Sequence, residues 1–178
     1  MKELSLNILD VAKNSVSAGA NIIDISLVVD ESGYLTLTIK DDGCGMSQQT
    51  VSNVTNPFYT TRTTRKVGMG LPLLKLAAEQ TGGYLSLESS QDMADHGTMV
   101  KAVFNTNSID FMPVGDIIST ICVLISGSPE IDFKFYDKSD THCVSLDTRE
   151  LRAALGNEVS LAEPEVGMWI SEYLREQY

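Results

Sequence analysis

Four short stretches carry side chains suited to chemistry. Asp10 and Asn14 stand four apart in a segment with helical periodicity and so share a face. An amide oxygen such as that of Asn14 can ligate a hard cation like magnesium, and a carboxylate one turn earlier could orient or deprotonate a water. Asp41-Asp42-Gly43-Cys44-Gly45 follows an alternating apolar run. An aspartate at a strand end can accept a hydrogen bond from an adenine amino group, and glycines let a flat ring approach the backbone. Gly68-Met69-Gly70-Leu71 opens a helical pattern, and free N–H groups at a helix start suit phosphate oxygens. Just before it, Thr60–Lys66 supplies hydroxyls and the cations Arg62, Arg65 and Lys66, which can neutralise phosphate charge. Each stretch also has a plain reading: a solvated helix face, an Asx turn closing a hairpin, an ordinary helix start and a solvated loop.

The elements that must position these residues follow from periodicity. Residues 3–18 are expected to form a helix that stops at Gly19. Residues 21–30 and 34–41 read as strands of a hairpin around Glu-Ser-Gly. In the second strand Leu35, Leu37 and Ile39 share a face, and the strand period puts Asp41 on that same buried side. A buried carboxylate is costly unless something donates to it. A short helix is expected at 48–54, a polar basic loop at 55–70, and a helix at 71–81 with Pro72 in its first turn and Gly82-Gly83 at its end. Strands at 84–89 and 98–104 complete an α+β sandwich, with helices on one face of a mixed, mostly antiparallel sheet. After Asn105 the pattern reads as a smaller α/β extension. It has a helix at 114–126, a hairpin of 131–136 with 142–146, a capping-box helix from Asp147 to Leu155, and an amphipathic helix at 164–176. The domain reading is therefore 3–105 for the site and 106–178 for the extension.

Composition narrows the classes. About 43% of the 178 residues are apolar, enough for an ordinary core. No stretch reaches the roughly 18 apolar residues of a membrane span, and no basic region followed by an apolar run marks a secretory signal. Cys44, Cys122 and Cys143 are too few and too scattered for a disulfide framework or a zinc site, which suggests a reducing cytoplasm. Net charge is −11, and residues 106–178 hold 5 basic against 13 acidic residues. That balance disfavours nucleic acid as a partner and leaves Arg62, Arg65 and Lys66 as a local exception that needs a reason.

Taken in order, the stretches resemble the motifs of the GHKL ATPase superfamily: histidine kinase catalytic domains, gyrase B, Hsp90 and MutL-type proteins. Asn14–Ala20 is similar to the MutL-type N box, and Asp41–Met46 to the first glycine box. Asn56-Pro57-Phe58-Tyr59-Thr60-Thr61-Arg62 resembles the F box of histidine kinases, and Gly68–Leu73 the second glycine box. His96-Gly97-Thr98 resembles the closing Gly-Thr strand. The resemblance covers residues 3–105. It implies a Bergerat-type fold that binds ATP with Mg2+. Asn14 would ligate magnesium, and Asp41 would read the adenine amino group. Gly43, Gly45 and Met46 would shape the adenine pocket, with Thr98 on the adenine side. Residues 57–70, including Phe58, Thr61, Arg62, Arg65, Lys66, Gly68, Met69 and Gly70 and followed by Leu71, would form a lid over the phosphates. Two departures stand out: Pro72 replaces a glycine of the second box, and Asp10 stands where hydrolysing relatives carry glutamate and histidine kinases often carry asparagine.

Three roles follow as expectations. The first is a regulatory protein kinase that passes the γ-phosphate to a partner in trans, since the chain has no phosphoacceptor helix of its own and His96 and His142 read as structural. The second is an ATP hydrolase or ATP-timed clamp with Asp10 as base. The third is a non-enzymatic switch in which ATP orders the lid. The acidic tail could be the partner surface or a homodimer contact, with Trp169, Ile170 and Tyr173 of the last helix as candidate contact residues.

Overall fold

The structure is a computed structural model that describes residues 3–55, 70–156 and 158–178. Its elements run α1 (Leu4–Ser17), β1 (Ile22–Val29), β2 (Tyr34–Asp41), α2 (Gln48–Val54), α3 (Gly70–Gln80), β3 (Tyr84–Ser90), β4 (Gly97–Asn105), α4 (Ile117–Gly127), β5 (Asp132–Lys138), β6 (Cys143–Asp147), α5 (Thr148–Leu155) and α6 (Pro164–Arg175). The strands form one six-stranded sheet in the order β3-β4-β2-β1-β5-β6. Only the β1–β5 pairing is parallel. This is the α+β, two-layer, mostly antiparallel architecture that the alternation of apolar residues predicts.

Register explains why one face is buried. Ile23, Ile25 and Leu27 of β1 lie opposite Asp41, Ile39 and Leu37 of β2. Leu35, Leu37 and Ile39 in turn lie opposite Phe104, Ala102 and Val100 of β4, and Ile23 and Ile25 opposite Phe133 and Phe135 of β5. Directly opposed residues point to the same side, so these side chains, Asp41 apart, make one continuous apolar surface. All are buried. The other face carries Asp24, Ser26, Thr36, Thr38, Lys40 and Lys101, which suits water.

The helices α1, α3 and α4 cover the apolar face. On α1 the buried stripe is Leu4, Ile8, Val11, Ala12 and Ser15, and on α4 it is Ile117, Ile121, Leu124 and Ile125. The apolar run 117–126 is therefore amphipathic rather than wholly buried, because Val123 is exposed. Turns fall where glycine permits. Gly19 (φ 72°) ends α1, Gly33 (φ 79°) closes the first hairpin and Gly82 (φ 81°) follows α3.

Element bounds follow the sequence expectation to within about three residues, a normal spread for helix ends. The fourth helix starts at Ile117 rather than 114, because Asp116 caps it by accepting the Ser119 N–H at 2.9 Å. Asp147 does cap α5, but it accepts from Arg149 N at 3.0 Å and takes the Arg149 guanidinium as well.

Residues 106–178 are built onto the same sheet. β5 pairs along seven positions of β1, which would otherwise be an edge strand with unpaired backbone groups. The segment leading into α4 crosses the start of α1. The carbonyls of Pro113 and Val114 accept the N–H groups of Leu4 and Ser5 at 2.9 and 2.8 Å, which satisfies two of the helix's free donors.

Candidate functional site

The site begins on α1. Its inward stripe contains a polar residue, Ser15, and the hydroxyl donates to Asp41 Oδ2 at 2.5 Å. Asp41 is the last residue of β2 and faces the core layer with 7% exposure. Its other oxygen, Oδ1, accepts the Gly43 N–H at 2.9 Å. The plain reading of this segment holds. The Asx turn forms, and the same bonds fix a buried carboxylate at the mouth of the sheet. Each oxygen keeps a second acceptor direction, which leaves capacity for an outside donor.

The glycine loop packs tightly around that carboxylate. A Cβ on Gly43 would stand 2.9 Å from Ala18 Cβ and 3.0 Å from Asp41 Oδ1. Cys44 N donates to the Ala18 carbonyl at 3.0 Å, which ties the loop to the end of α1. Gly45 (φ 68°) serves the fold directly: a Cβ there would lie 1.8 Å from the Ser90 carbonyl oxygen. The β3–β4 turn holds the loop from the other side. Met46 N donates to Ser89 Oγ at 2.8 Å, and Ser89 Oγ is 2.8 Å from Thr98 Oγ1 and donates to the Gly97 carbonyl at 3.0 Å. Thr98 lies directly opposite Asp41 in the β2–β4 register. His96 Nδ1 donates to the Gly43 carbonyl at 2.8 Å. That bond gives His96 a structural task, as the sequence suggested.

Asp42 has a separate job. Burial pushes its carboxyl up, but the N–H groups of Ile22 and Asn21 donate to it at 3.0 and 2.7 Å. Together with the Asn21 amide they outweigh the burial and hold it below the usual carboxylate range. Asp42 thereby fastens the start of β1 to the end of β2, beside the loop.

Asp10 and Asn14 are both exposed on α1, one turn apart, and Asn14 immediately precedes the residue bonded to Asp41. Gly70, at the start of α3, is close enough to α1 that a Cβ would meet Asp10 Cβ at 3.2 Å. The N-terminal turn of α3 is thus set beside Asp10, and Leu71 is buried behind it at 6% exposure. Of the residues chosen from sequence, Asp41, Gly43, Gly45, Met46 and Thr98 form one cluster. Asp10, Asn14 and Gly70 line the adjoining stretch of α1. Phe58, Thr61, Arg62, Arg65, Lys66, Gly68 and Met69 lie outside the described residues.

Sequence reasoning passed over two residues that build the site. Ser15 interrupts the stripe Leu4, Ile8, Val11 at helical spacing, and Ser89 continues the alternation Leu85, Leu87 on the core face. A small hydroxyl where the period demands an apolar side chain was the available signal, since burial obliges it to find a partner.

The fold and this carboxylate-centred loop define a two-layer ATPase domain of the GHKL type. Residues 1–119 match the family described as histidine kinase-, DNA gyrase B-, and HSP90-like ATPase, and the chain belongs to that family. Among curated proteins, the sensor histidine kinase CpxA of Escherichia coli is 29% identical over 86 residues, covering 46% of this chain and 19% of CpxA. Sporulation kinase E of Bacillus subtilis is 30% identical over 91 residues, covering 51% of this chain and 12% of that kinase. The chain thus spans only a small part of the length of these relatives. Among solved structures, the Aquifex aeolicus MutL ATPase domain complexed with ADP superposes over 99% of this chain and 70% of its own, with a TM-score of 0.55 at 13% identity. The N-terminal domain of a DNA repair protein superposes over 83% of this chain and 52% of its own, with a TM-score of 0.56 at 17% identity. Among the described residues no helix is long and apolar enough to cross a membrane.

Proposed function

We propose that this chain binds ATP with Mg2+ and transfers the γ-phosphate to a partner protein in trans, as a regulatory kinase. The observation that carries the nucleotide reading is the Asp41 carboxylate. It is buried, oriented by Ser15 Oγ and Gly43 N, and set in a glycine loop packed closely against Ala18 and Ser90. Such a carboxylate is suited to accept from an exocyclic amino group while excluding a carbonyl at the same place. Family membership supports the same ligand.

In this reading Asn14 would supply its amide oxygen to magnesium. Among the described residues no three His, Cys, Asp or Glu side chains converge. Asn14 would give one oxygen, and magnesium takes its remaining ligands readily from phosphates and water. Thr98 and Met46 would flank the adenine, and Gly70 N–H, at a helix start, would face phosphate oxygens. The nucleotide supplies the transferable phosphoryl group. The chain's own residues would position it, and the basic residues Arg62, Arg65 and Lys66 would offset its charge. The kinase relatives support phosphoryl transfer as the reaction.

A second reading has one observation in its favour. The Asp10 backbone and Cβ lie against the first residue of α3. A carboxylate in that place could orient a water toward a terminal phosphate and make the protein a hydrolase. Incubation with γ-labelled ATP and magnesium separates the readings. Label on a co-expressed partner supports the kinase, and free phosphate lost in Asp10→Asn supports the hydrolase. Tight binding with neither outcome leaves a nucleotide-ordered switch, and failure to bind ATP overturns the proposal. The site is assigned to residues 3–105, with 106–178 as the segment that serves the partner.

A further inference from the structure

At the sheet edge opposite β3, helices α5 and α6, with Val159, line a groove of about 540 Å³. Leu151 and Val166 are buried in its floor, and Leu155 and Val159 stand at its sides. The outward stripe of α6 forms the lip: Trp169 and Tyr173 stack with ring centroids 5.0 Å apart and planes at 12°. Ile170, one position along, instead packs inward at 1% exposure, while Trp169 remains 48% exposed. The last helix is thus both a core element and a presented aromatic surface. A half-exposed tryptophan stacked on a partly buried tyrosine over an apolar groove is the composition of a binding anchor rather than of an ordinary surface.

Charge and backbone chemistry narrow the occupant. Glu150 and Glu165 stand on the rim, both exposed, and among the described residues neither has an ion-pair partner. The neighbouring guanidinium of Arg149 is paired with Asp147 at 2.7 Å. An acidic rim inside a segment of 5 basic and 13 acidic residues repels a second copy of itself and any phosphate-bearing ligand. Strand addition is also obstructed. β6 is the edge strand, but at its middle the Gln177 side chain accepts the Ser145 N–H at 2.9 Å and donates to the Ser145 carbonyl at 3.2 Å, which blocks a continuous added ladder. The wall that remains is helical. α6, at 12 residues, is about 18 Å long, room for about three turns of a second helix.

We propose that this groove docks an amphipathic helix of a partner protein, its apolar row on Leu155, Trp169 and Tyr173 and its flanking lysines or arginines over Glu150 and Glu165. The inference is independent of the nucleotide site, which lies across the sheet at β2 and β4.

Trp169 is the only tryptophan in the chain, so its emission reports groove occupancy directly. The full chain is titrated with an 18-residue helical peptide of leucine and lysine whose leucines recur at i, i+3, i+4 and i+7. Two controls run beside it: a scrambled peptide of identical composition, and one with glutamate in place of lysine. The expected result is a saturable blue shift with the first peptide and at least about tenfold weaker binding of both controls. Glu150→Lys/Glu165→Lys, altered only at exposed positions, should weaken binding of the lysine peptide about tenfold and reduce its salt dependence. Equal binding of the scrambled peptide, or unchanged affinity in the double variant, overturns the proposal. So does concentration-dependent self-association that by itself shifts the Trp169 emission, because it would make a second copy the occupant.

Discussion

Removing the Ser15 hydroxyl tests the physical core of the site. In Ser15→Ala, Asp41 Oδ2 loses its 2.5 Å donor while the carboxylate stays 7% exposed, so water replaces that bond poorly. A hydrogen bond to a charged group contributes about 1.5–3 kcal/mol, and a buried acceptor left without its donor keeps the desolvation cost. Gly43 N still donates to Oδ1, which places the expected loss near about 2 kcal/mol. In a chain of 178 residues each kcal/mol moves the midpoint by about 2–4 °C, so Tm should fall by about 4–8 °C. Urea denaturation should show the same loss at an unchanged slope. Ser17→Ala is the control. Its hydroxyl only bonds back to the Lys13 carbonyl on the exposed face, and its change should stay within about 0.5 kcal/mol. A cycle of Ser15→Ala with Asp41→Asn should give a coupling of about 1 kcal/mol or more. If Ser15→Ala is as stable as its parent, or the cycle shows no coupling, the bond does not orient Asp41 and the site's preorganisation fails with it.

Asp42→Ala should cost about 0.5–1.5 kcal/mol at pH 7, since Asn21 and Ile22 N–H lose their acceptor. Its carboxyl is depressed in the folded state, so its contribution is present above the unfolded carboxylate pKa and is lost as pH falls through the lower folded one. The gap between parent and variant should therefore close in urea titrations as pH drops below about 4. Gly45→Ala should lose more than about 2 kcal/mol or fail to accumulate as soluble protein, because its Cβ would overlap the Ser90 carbonyl at positive φ. Asn14→Ala should weaken ATP binding in calorimetry only when magnesium is present, and equal Mg-ATP affinity would remove Asn14 as the ligand. Asp41→Asn should erase discrimination between ATP and GTP while the protein stays folded; retained selectivity would remove Asp41 as the adenine reader.

Much of the candidate site's local geometry was legible because it depends on local spacing. Asp10 and Asn14 lie one helical turn apart, the strand period places Asp41 inward, and Gly43 and Gly45 sit in a tight turn. All of this follows from periods of 3.6 and 2, from the positive φ open to Gly45 and from the close approach that Gly43 allows. Other features were not visible in the same way. Ser15 and Ser89 look like unremarkable hydroxyls until Asp41 and Met46 N arrive opposite them from 26 and 43 residues away. The functional meaning of Gly45 also shifted, since its nearest obstacle is the Ser90 backbone.

The amino-acid sequence by itself determined which segments are helix and strand, which face of each is apolar, and where Asp41 points. Those properties depend on residues a few positions apart. Only the tertiary structure decided that β4 lies beside β2, that β5 covers β1 in parallel, and that α6 turns Ile170 inward while leaving Trp169 half exposed over a groove. Alternation marks a strand's buried face but says nothing about its neighbour, because an apolar face is satisfied by any apolar surface of suitable shape. Pairing order and the sharing of α6 between core and surface depend on how the whole set of faces closes around one volume, and that is settled only when the chain is folded.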